Sequence, residues 1–426
     1  MYLKSILPTL YLLGQFFFSI SQVNDSLDSK FYKIDSLITL GIEKMAFPGA
    51  VLYAEIGDSV LIHKSYGFHT YDSLRKVETH HLFDLASVTK VTAATLALMK
   101  LYEMGLFQLD EPISKYFPEI KGKRGKVTLR ELLGHQSGWQ SWIAYHQKIR
   151  DKNGRLKKKY VASSQSDRFD FKLAEGKYLR SDFYVKIKKF IKKNDFDPER
   201  GYVYSGLFFY LVPEMVQNLS GRTFQEFLNH HFYEPLGANS LVFNPISSFA
   251  DSIILPTEID TFFREEPIHG WVHDEGAIMM RGVSGNAGLF GNAEGVASVW
   301  SMLLNEGKAV DTTLLRPETI QLFTSAQYPN NNNRRGLGFD KPLLEYDEVR
   351  SSVGKDASFR SFGHTGYTGP IVWADPEHDL LFIFLCNRVY PTRNQRMLYE
   401  MNLRPTIHQW LYEAVRATSE KSRKAQ

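Results

Sequence analysis

A serine, a lysine, a tyrosine and a histidine stand at spacings that could carry acyl transfer. In Phe83-Asp-Leu-Ala-Ser87-Val-Thr-Lys90, Ser87 and Lys90 lie three residues apart at the mouth of the apolar run Val91–Met99. On a helix that spacing puts both on one face, about a turn apart. A serine hydroxyl is a weak nucleophile until something takes its proton, and a lysine desolvated by burial can do so. Backbone N–H groups at a helix N-terminus can hold the oxyanion that forms when a carbonyl is attacked. The same Ser-x-x-Lys spacing recurs at Ser73…Lys76 and Ser352…Lys355, both in polar, turn-like surroundings. Taken alone, Ser87 capping a core helix with a snorkelling Lys90 is the plainer account.

Two further segments change that weighting. Tyr202-Val-Tyr204-Ser205-Gly206-Leu207 precedes an apolar helical pattern, and Phe362-Gly-His364-Thr365-Gly366-Tyr367-Thr-Gly369 precedes the penultimate strand pattern. A tyrosine beside a serine–lysine pair can shuttle the proton of acyl transfer. A basic residue followed by Thr-Gly on an edge strand can offer a cation, a hydroxyl and open backbone to a carboxylate-bearing substrate. Neither Tyr204 nor His364 means much alone; the order of the three segments is what carries information.

That ordered set resembles the penicillin-binding-like serine hydrolases: class C type β-lactamases, DD-peptidases, D-aminopeptidases and related carboxylesterases. The resemblance spans roughly residues 30–415 and includes Leu132-Leu-Gly-His135-Gln-Ser-Gly138, Trp271-Val-His273-Asp274 and Gly285-Asn-Ala-Gly-Leu-Phe290. The stretch from His364 to Asn387-Arg-Val-Tyr-Pro-Thr-Arg393 looks like β-lactamase-related modules that some bacteria join to cell-wall glycosidases. The resemblance implies Ser87 as acylated nucleophile, Lys90 as its proton acceptor, and Tyr204 as the base that also activates the deacylating water. It implies His364 and Thr365-Gly366 facing a substrate carboxylate or carbonyl, and an oxyanion hole from the N–H groups of Ser87 and Tyr367. It also implies an α/β domain made from both chain ends plus a helical domain, with the site in the cleft between them. Two positions depart from the pattern. Gly206 stands where Asn or Asp is usual, and His364 stands where Lys is common. An imidazole near its ordinary pKa of about 6.5 is largely uncharged at neutral pH. Both departures point away from a resistance-type β-lactamase, toward an esterase, a peptidoglycan-fragment hydrolase, or a protein of this fold that has lost turnover and only binds.

The elements that must position these residues are legible in outline. Lys30–Ala46 reads as a helix, and Ala50–Ile56 and Ser59–Tyr66 as strands joined at Gly57-Asp58. Pro370–Ala374 and Leu380–Asn387 mirror that hairpin near the C-terminus, with helical pattern from about Asn394 that Pro405 bends or restarts. Two hairpins and two helices from opposite chain ends predict a helix-covered antiparallel sheet. Between them the pattern is helical: Val88–Met104 stopping at Gly105, a capping box at Thr128-Leu-Arg-Glu131, then Leu207–Leu219, Phe224–Tyr233 and Ala293–Leu304. The expected fold is therefore α/β with an all-helical subdomain, β-lactamase/transpeptidase-like. Its expected parts are 22–84 and 281–426 for the α/β domain and 85–280 for the helical one.

Composition sets the remaining bounds. The chain has 426 residues, 43% hydrophobic, with net charge +4 and a single cysteine, Cys386. Disordered, fibrous and disulfide-framed classes are excluded. Residues 1–21 read as a secretory signal: Lys4, the mostly apolar Ile6–Ile20, then Ser19 and Ser21 before Gln22. The expectation is a periplasmic or extracellular protein with no membrane span once that segment is cleaved. Residues 148–193 hold 16 Lys and Arg against 5 Asp and Glu, an excess of +11. Such a face is either simply solvated or attracts an anionic envelope polymer; nucleic acid is not an expected partner of an exported protein. No Gly-x-Ser-x-Gly elbow, P-loop or cysteine-rich zinc module is present. His269…His273 lacks the glutamate of a zinc-hydrolase helix. No cofactor or metal is expected.

Overall fold

The uninterrupted apolar run Leu380–Cys386 is the middle strand of a five-stranded antiparallel sheet in the computed structural model, which describes residues 31–424. Gly49–Ile56 pairs on one side and Ile371–Asp375 on the other, with Ser59–Gly67 and Phe362–Thr365 at the edges. A strand covered on both faces needs no polar alternation, and the period of two divides this one cleanly. Leu380, Phe382, Phe384 and Cys386 pack with Ile34 and Ile38 of the first helix (31–43) and with Ile407 and Leu411 of the last, Leu403–Lys424. Leu381, Ile383 and Leu385 face the larger core, which includes Val296 and Trp300 of the helix Ala293–Leu304. The register Ala50↔Cys386 through Ile56↔Leu380 joins the two ends of the chain. The antiparallel, helix-covered sheet expected from the hairpins is therefore present.

Several local readings change. The region 148–193 is not purely helical. It carries a three-stranded antiparallel sheet (Val161–Ala162, Lys177–Leu179, Phe171–Ala174) followed by the helix Phe183–Lys192. Its few apolar residues decide this: Val161, Leu173, Leu179, Phe183, Ile187 and Ile191 all join the main core. Phe183, Ile187 and Ile191 repeat every four residues, which leaves Lys189 and Lys192 exposed on the outer face, while Lys188 bonds Glu214 at 2.8 Å. The segment 86–104 is also less regular than its pattern. It opens as a 3₁₀ turn, Ala86–Val88, passes through the π-turn Lys90–Ala94, and becomes α-helical over Thr95–Glu103 before Gly105 at φ +71°. Phe362–Thr365, read as the segment before the penultimate strand with His364-Thr365 on an edge, is the edge strand of the sheet. Pro405 sits in the first turn of the last helix, where its missing N–H costs nothing, and Asn402 at φ +48° ends the preceding turn. The apparent signal segment 1–21 lies outside the described residues. Among those residues no helix is long and apolar enough to cross a membrane.

Candidate active site

Ser87 is presented by a backbone that buried Asp84 holds in place. The Asp84 carboxylate accepts from the Ala86 N–H at 2.8 Å and from the His273 N–H at 2.7 Å. Ala86 takes φ +45°, a left-handed conformation that costs a non-glycine residue about 1–2 kcal/mol. The fixed N–H is what sustains it, and the twist brings Ser87 to the start of the 3₁₀ turn, where N–H groups lack intrahelical acceptors. Burial raises the Asp84 carboxyl above its ordinary value despite these two N–H donors. The loop carrying Tyr367 is tied to the same segment. The Thr368 hydroxyl donates to the Asp84 carbonyl at 2.8 Å, and the Arg388 guanidinium donates to the Tyr367 carbonyl at 2.7 Å.

Lys90 is 3% exposed. Its Nζ lies 3.0 Å from Ser87 Oγ and 2.8 Å from the Asn286 carbonyl oxygen. Asn286 is itself fixed, with Nδ2 donating to the Tyr210 oxygen at 3.0 Å and Oδ1 accepting from Ser284 at 2.6 Å. Gly206 lies across from the lysine. A Cβ there would meet only Lys90 Cε, at 3.9 Å, so the space toward the lysine is open. The second partner of Lys90 thus comes from the backbone at 286 in the absence of any side chain at 206.

Tyr204 is held by its neighbours. Fully buried His135 accepts the Ser205 N–H on Nδ1 at 3.2 Å and sets its ring 4.7 Å from that of Tyr204. Burial, then the Arg335 charge, keeps His135 neutral, well below the usual imidazole range. Lys90 Nζ and Arg335 Cζ lie 5.5 and 5.0 Å from the centre of the Tyr204 ring. No hydrogen bond joins the Tyr204 hydroxyl to Ser87 or Lys90 among the described residues. Ser87, Lys90, Tyr204, Gly206, His364, Thr365, Gly366 and Tyr367 all line two adjoining cavities of one cleft, of about 450 and 390 Å³, which meet at Ser87, Tyr204 and Tyr367.

His364 carries no positive charge into that cleft. Its Nδ1 donates to the Thr365 carbonyl at 2.7 Å, and its buried Nε2 has no partner. Burial, reinforced by Arg335 and Lys90, drops its pKa to about 3. The cation of this wall is one that spacing did not reveal. Arg335, 6% exposed, lies 3.3 Å from Asp340 and donates to the Tyr202 hydroxyl at 3.1 Å, while its NH1 has no partner. Arg334 shares the same Asp340 at 2.9 Å, leaving one net positive charge. Asp340 reaches the site because its backbone exchanges two hydrogen bonds with Gly363 beside the edge strand. Asp84, Asn286, Arg335 and Asp340 are site residues that sequence reasoning missed; Asp84 and Asn286 lay in segments singled out for other reasons, Arg335 and Asp340 in none.

Glu78, His80 and His81 bring possible metal-ligand atoms within 4.8 Å of one another. The set does not fit a metal well, because His81 Nδ1 already accepts the Glu78 N–H at 3.1 Å and lies 2.9 Å from His69 Nε2. His273 bonds Glu258 at 2.7 Å and His269 the Ile254 carbonyl at 2.8 Å. Near Ser87 the chemistry on offer is nucleophile, amine and phenol, with an arginine to one side.

The chain belongs to the Beta-lactamase family, whose sequence model matches residues 34–403. It is 29% identical over 368 residues to an Escherichia coli K12 protein provisionally named a D-alanyl-D-alanine carboxypeptidase, covering 80% of this chain and 78% of that one. It is 28% identical over 387 residues to an N-acetylmuramyl-L-alanine amidase of Bacillus subtilis, covering 84% and 81%. Among solved structures it resembles EstCE1, a hydrolase with promiscuous acyltransferase activity, at TM-score 0.64 and 17% identity, covering 90% of this chain and 99% of that one. A penicillin-binding protein homologue from Caulobacter crescentus follows at TM-score 0.61 and 18% identity, covering 90% and 97%. These two share the β-lactamase/transpeptidase-like fold.

Proposed function

We propose that this protein is a serine hydrolase that cleaves an amide bond through a Ser87 acyl-enzyme and releases a carboxylate-bearing amino acid. The observation that carries the reading is Lys90 Nζ at 3.0 Å from Ser87 Oγ in a buried, hydrogen-bonded setting. With Lys90 as the free amine, Nζ takes the Ser87 proton while Oγ bonds the carbonyl carbon. The carbonyl electron pair moves to oxygen, facing the N–H groups of Ser87 and Tyr367. Collapse breaks the C–N bond, the leaving amine takes a proton through Tyr204, and water then attacks the ester by the reverse route. Arg335, with its unpaired NH1, supplies on the leaving-group side the charge that neutral His364 does not. The names of the Escherichia coli and Bacillus subtilis relatives fit a peptidoglycan-peptide substrate outside the cytoplasm, as does the apparent signal at 1–21. The outer face of 148–193 would then meet an anionic envelope polymer, and salt-sensitive retention on such a polymer would test that.

Intact-protein mass spectrometry tests the acyl-enzyme. Wild type and Ser87→Ala are incubated separately with a penicillin and with a fluorophosphonate. One adduct on wild type that is missing from Ser87→Ala is expected. Folded wild type that reacts with neither reagent would sink the proposal in favour of a silent binding protein of the same fold, the outcome Gly206 would then explain.

A further inference from the structure

The two walls of the cleft differ in charge. Arg334 and Arg335 stand on one side, and on the other the motif Trp271-Val-His273-Asp274 places Asp274 and Glu275 in the cavity that Ser87 shares. Glu275 is occupied, since Arg393 NH1 bonds it at 2.8 Å. Asp274 is not. Its Oδ1 accepts the Ala277 N–H at 2.7 Å and the Tyr210 hydroxyl at 3.1 Å, but no cation pairs with it among the described residues. Arg264, the other buried cation nearby, is bonded to the Val272 and His273 carbonyls. A second group points to a ligand here. Tyr145 is 1% exposed and lines the same cavity, yet its hydroxyl has no hydrogen-bond partner. Trp142, 61% exposed, stands at the rim with its ring stacked on His146 at 6.4 Å.

We propose that Asp274, Tyr145 and Trp142 form a subsite for a primary ammonium group on the acyl side of the substrate. The carboxylate would take the charge, the Tyr145 oxygen would accept a second N–H, and the indole face would cover the third. This rests on the hydrolase reading for its geometry, because Ser87 divides an ammonium wall from a carboxylate wall. The substrate is then a peptide with an amine on the acyl side and a free carboxylate on the leaving side.

The test separates this from catalysis by measuring binding on Ser87→Ala. Calorimetry compares Nα-acetyl-L-Lys-D-Ala-D-Ala, its Nε-acetylated form, and Nε-acetyl-L-Lys-D-Ala-D-Ala with a free α-amine. At least one free amine should bind about tenfold more tightly than the doubly acetylated peptide, as expected of one charge-assisted contact. Which amine carries the preference tells a side chain from a peptide N-terminus. Asp274→Asn keeps the Oδ1 acceptor and so the helix cap, and it should erase the preference. Tyr145→Phe should reduce it. Equal affinity for all three peptides, no binding of any, or a preference that survives Asp274→Asn overturns the subsite. Fluorophosphonate labelling of the wild type reports separately: an adduct alongside amine-blind binding leaves the hydrolase standing without the subsite, and amine-dependent binding without an adduct leaves the reverse.

Discussion

At the scale of single residues, the site is an arrangement of neutral and charged groups set by burial. His364 and His135 are held neutral by desolvation and by the Arg335 charge, so Arg335 is the cation beside Tyr204, 5.0 Å from the ring centre, with the Lys90 amine 5.5 Å from the same ring. A histidine charge in that space would repel Arg335. Gly206 fits this scheme as an omission with a substitute, since the Asn286 carbonyl gives Lys90 the second acceptor. The omission is reversible. Gly206 is outside the left-handed region, and its nearest obstacle is Lys90 Cε at 3.9 Å. Gly206→Asn should therefore fold with a melting temperature within about 2 °C of wild type, as for a substitution that meets no backbone strain. Its side-chain carbonyl would reach Lys90 and its amide the substrate carbonyl. Adduct formation with a penicillin should then speed up by about tenfold, read as the rate of mass increase. An unchanged rate would mean that the 206 side chain does not reach the lysine.

Elements matter here for the partners they bring from far along the chain. The last helix is tied to the sheet through Asp375, fully buried at the end of Ile371–Asp375. Its carboxylate accepts from the Tyr412 hydroxyl at 2.6 Å, the Ser358 hydroxyl at 2.6 Å and the Ser358 N–H at 2.8 Å. Tyr412→Phe would remove one donor from a buried carboxylate, which costs about 1–3 kcal/mol. A lower urea midpoint is expected while fluorophosphonate labelling of Ser87 is unchanged, because Tyr412 is no part of the cleft; an unshifted midpoint would show that the helix is held by its apolar face alone. The strands of this sheet were readable beforehand because Leu380–Cys386 is continuously apolar and Gly57-Asp58 marks a tight turn. The eight residues gathered at the cleft were readable because they sit in three short segments. Arg335 was not, since its place depends on Asp340 pairing with Gly363, a contact with no local pattern. Asp84 likewise shows its purpose only through the twisted backbone at Ala86. The small sheet within 148–193 was masked by its lysines, which outnumber the apolar residues that fold it.

The whole molecule carries a pH dependence that no one element shows. His69, His81, His135, His364 and His408 are all buried, and burial lowers the pKa of each: to about 4 for the first two and about 3 for His364 and His408. Between these values and the ordinary 6.5, the unfolded chain binds protons that the folded one refuses, so stability rises with pH in that window. The contribution is complete above about pH 7 and is lost steadily as the pH falls toward 3. For fully buried His364 and His408 the loss by pH 5 is about 2 kcal/mol each, from an unfolded pKa of about 6.5. Asp84, raised by burial, works in the opposite direction, but as one carboxyl against five histidines. Urea unfolding at pH 7.5 and pH 5.0 should therefore show a markedly lower midpoint at the lower pH. His408→Gln, which replaces a ring packed 4.8 Å from Phe382 that does not line the cleft, should shrink that difference. Equal midpoints at the two pH values would mean that the buried histidines take up protons without unfolding. The neutrality of His364, and with it the assignment of the leaving-group cation to Arg335, would then have to be given up.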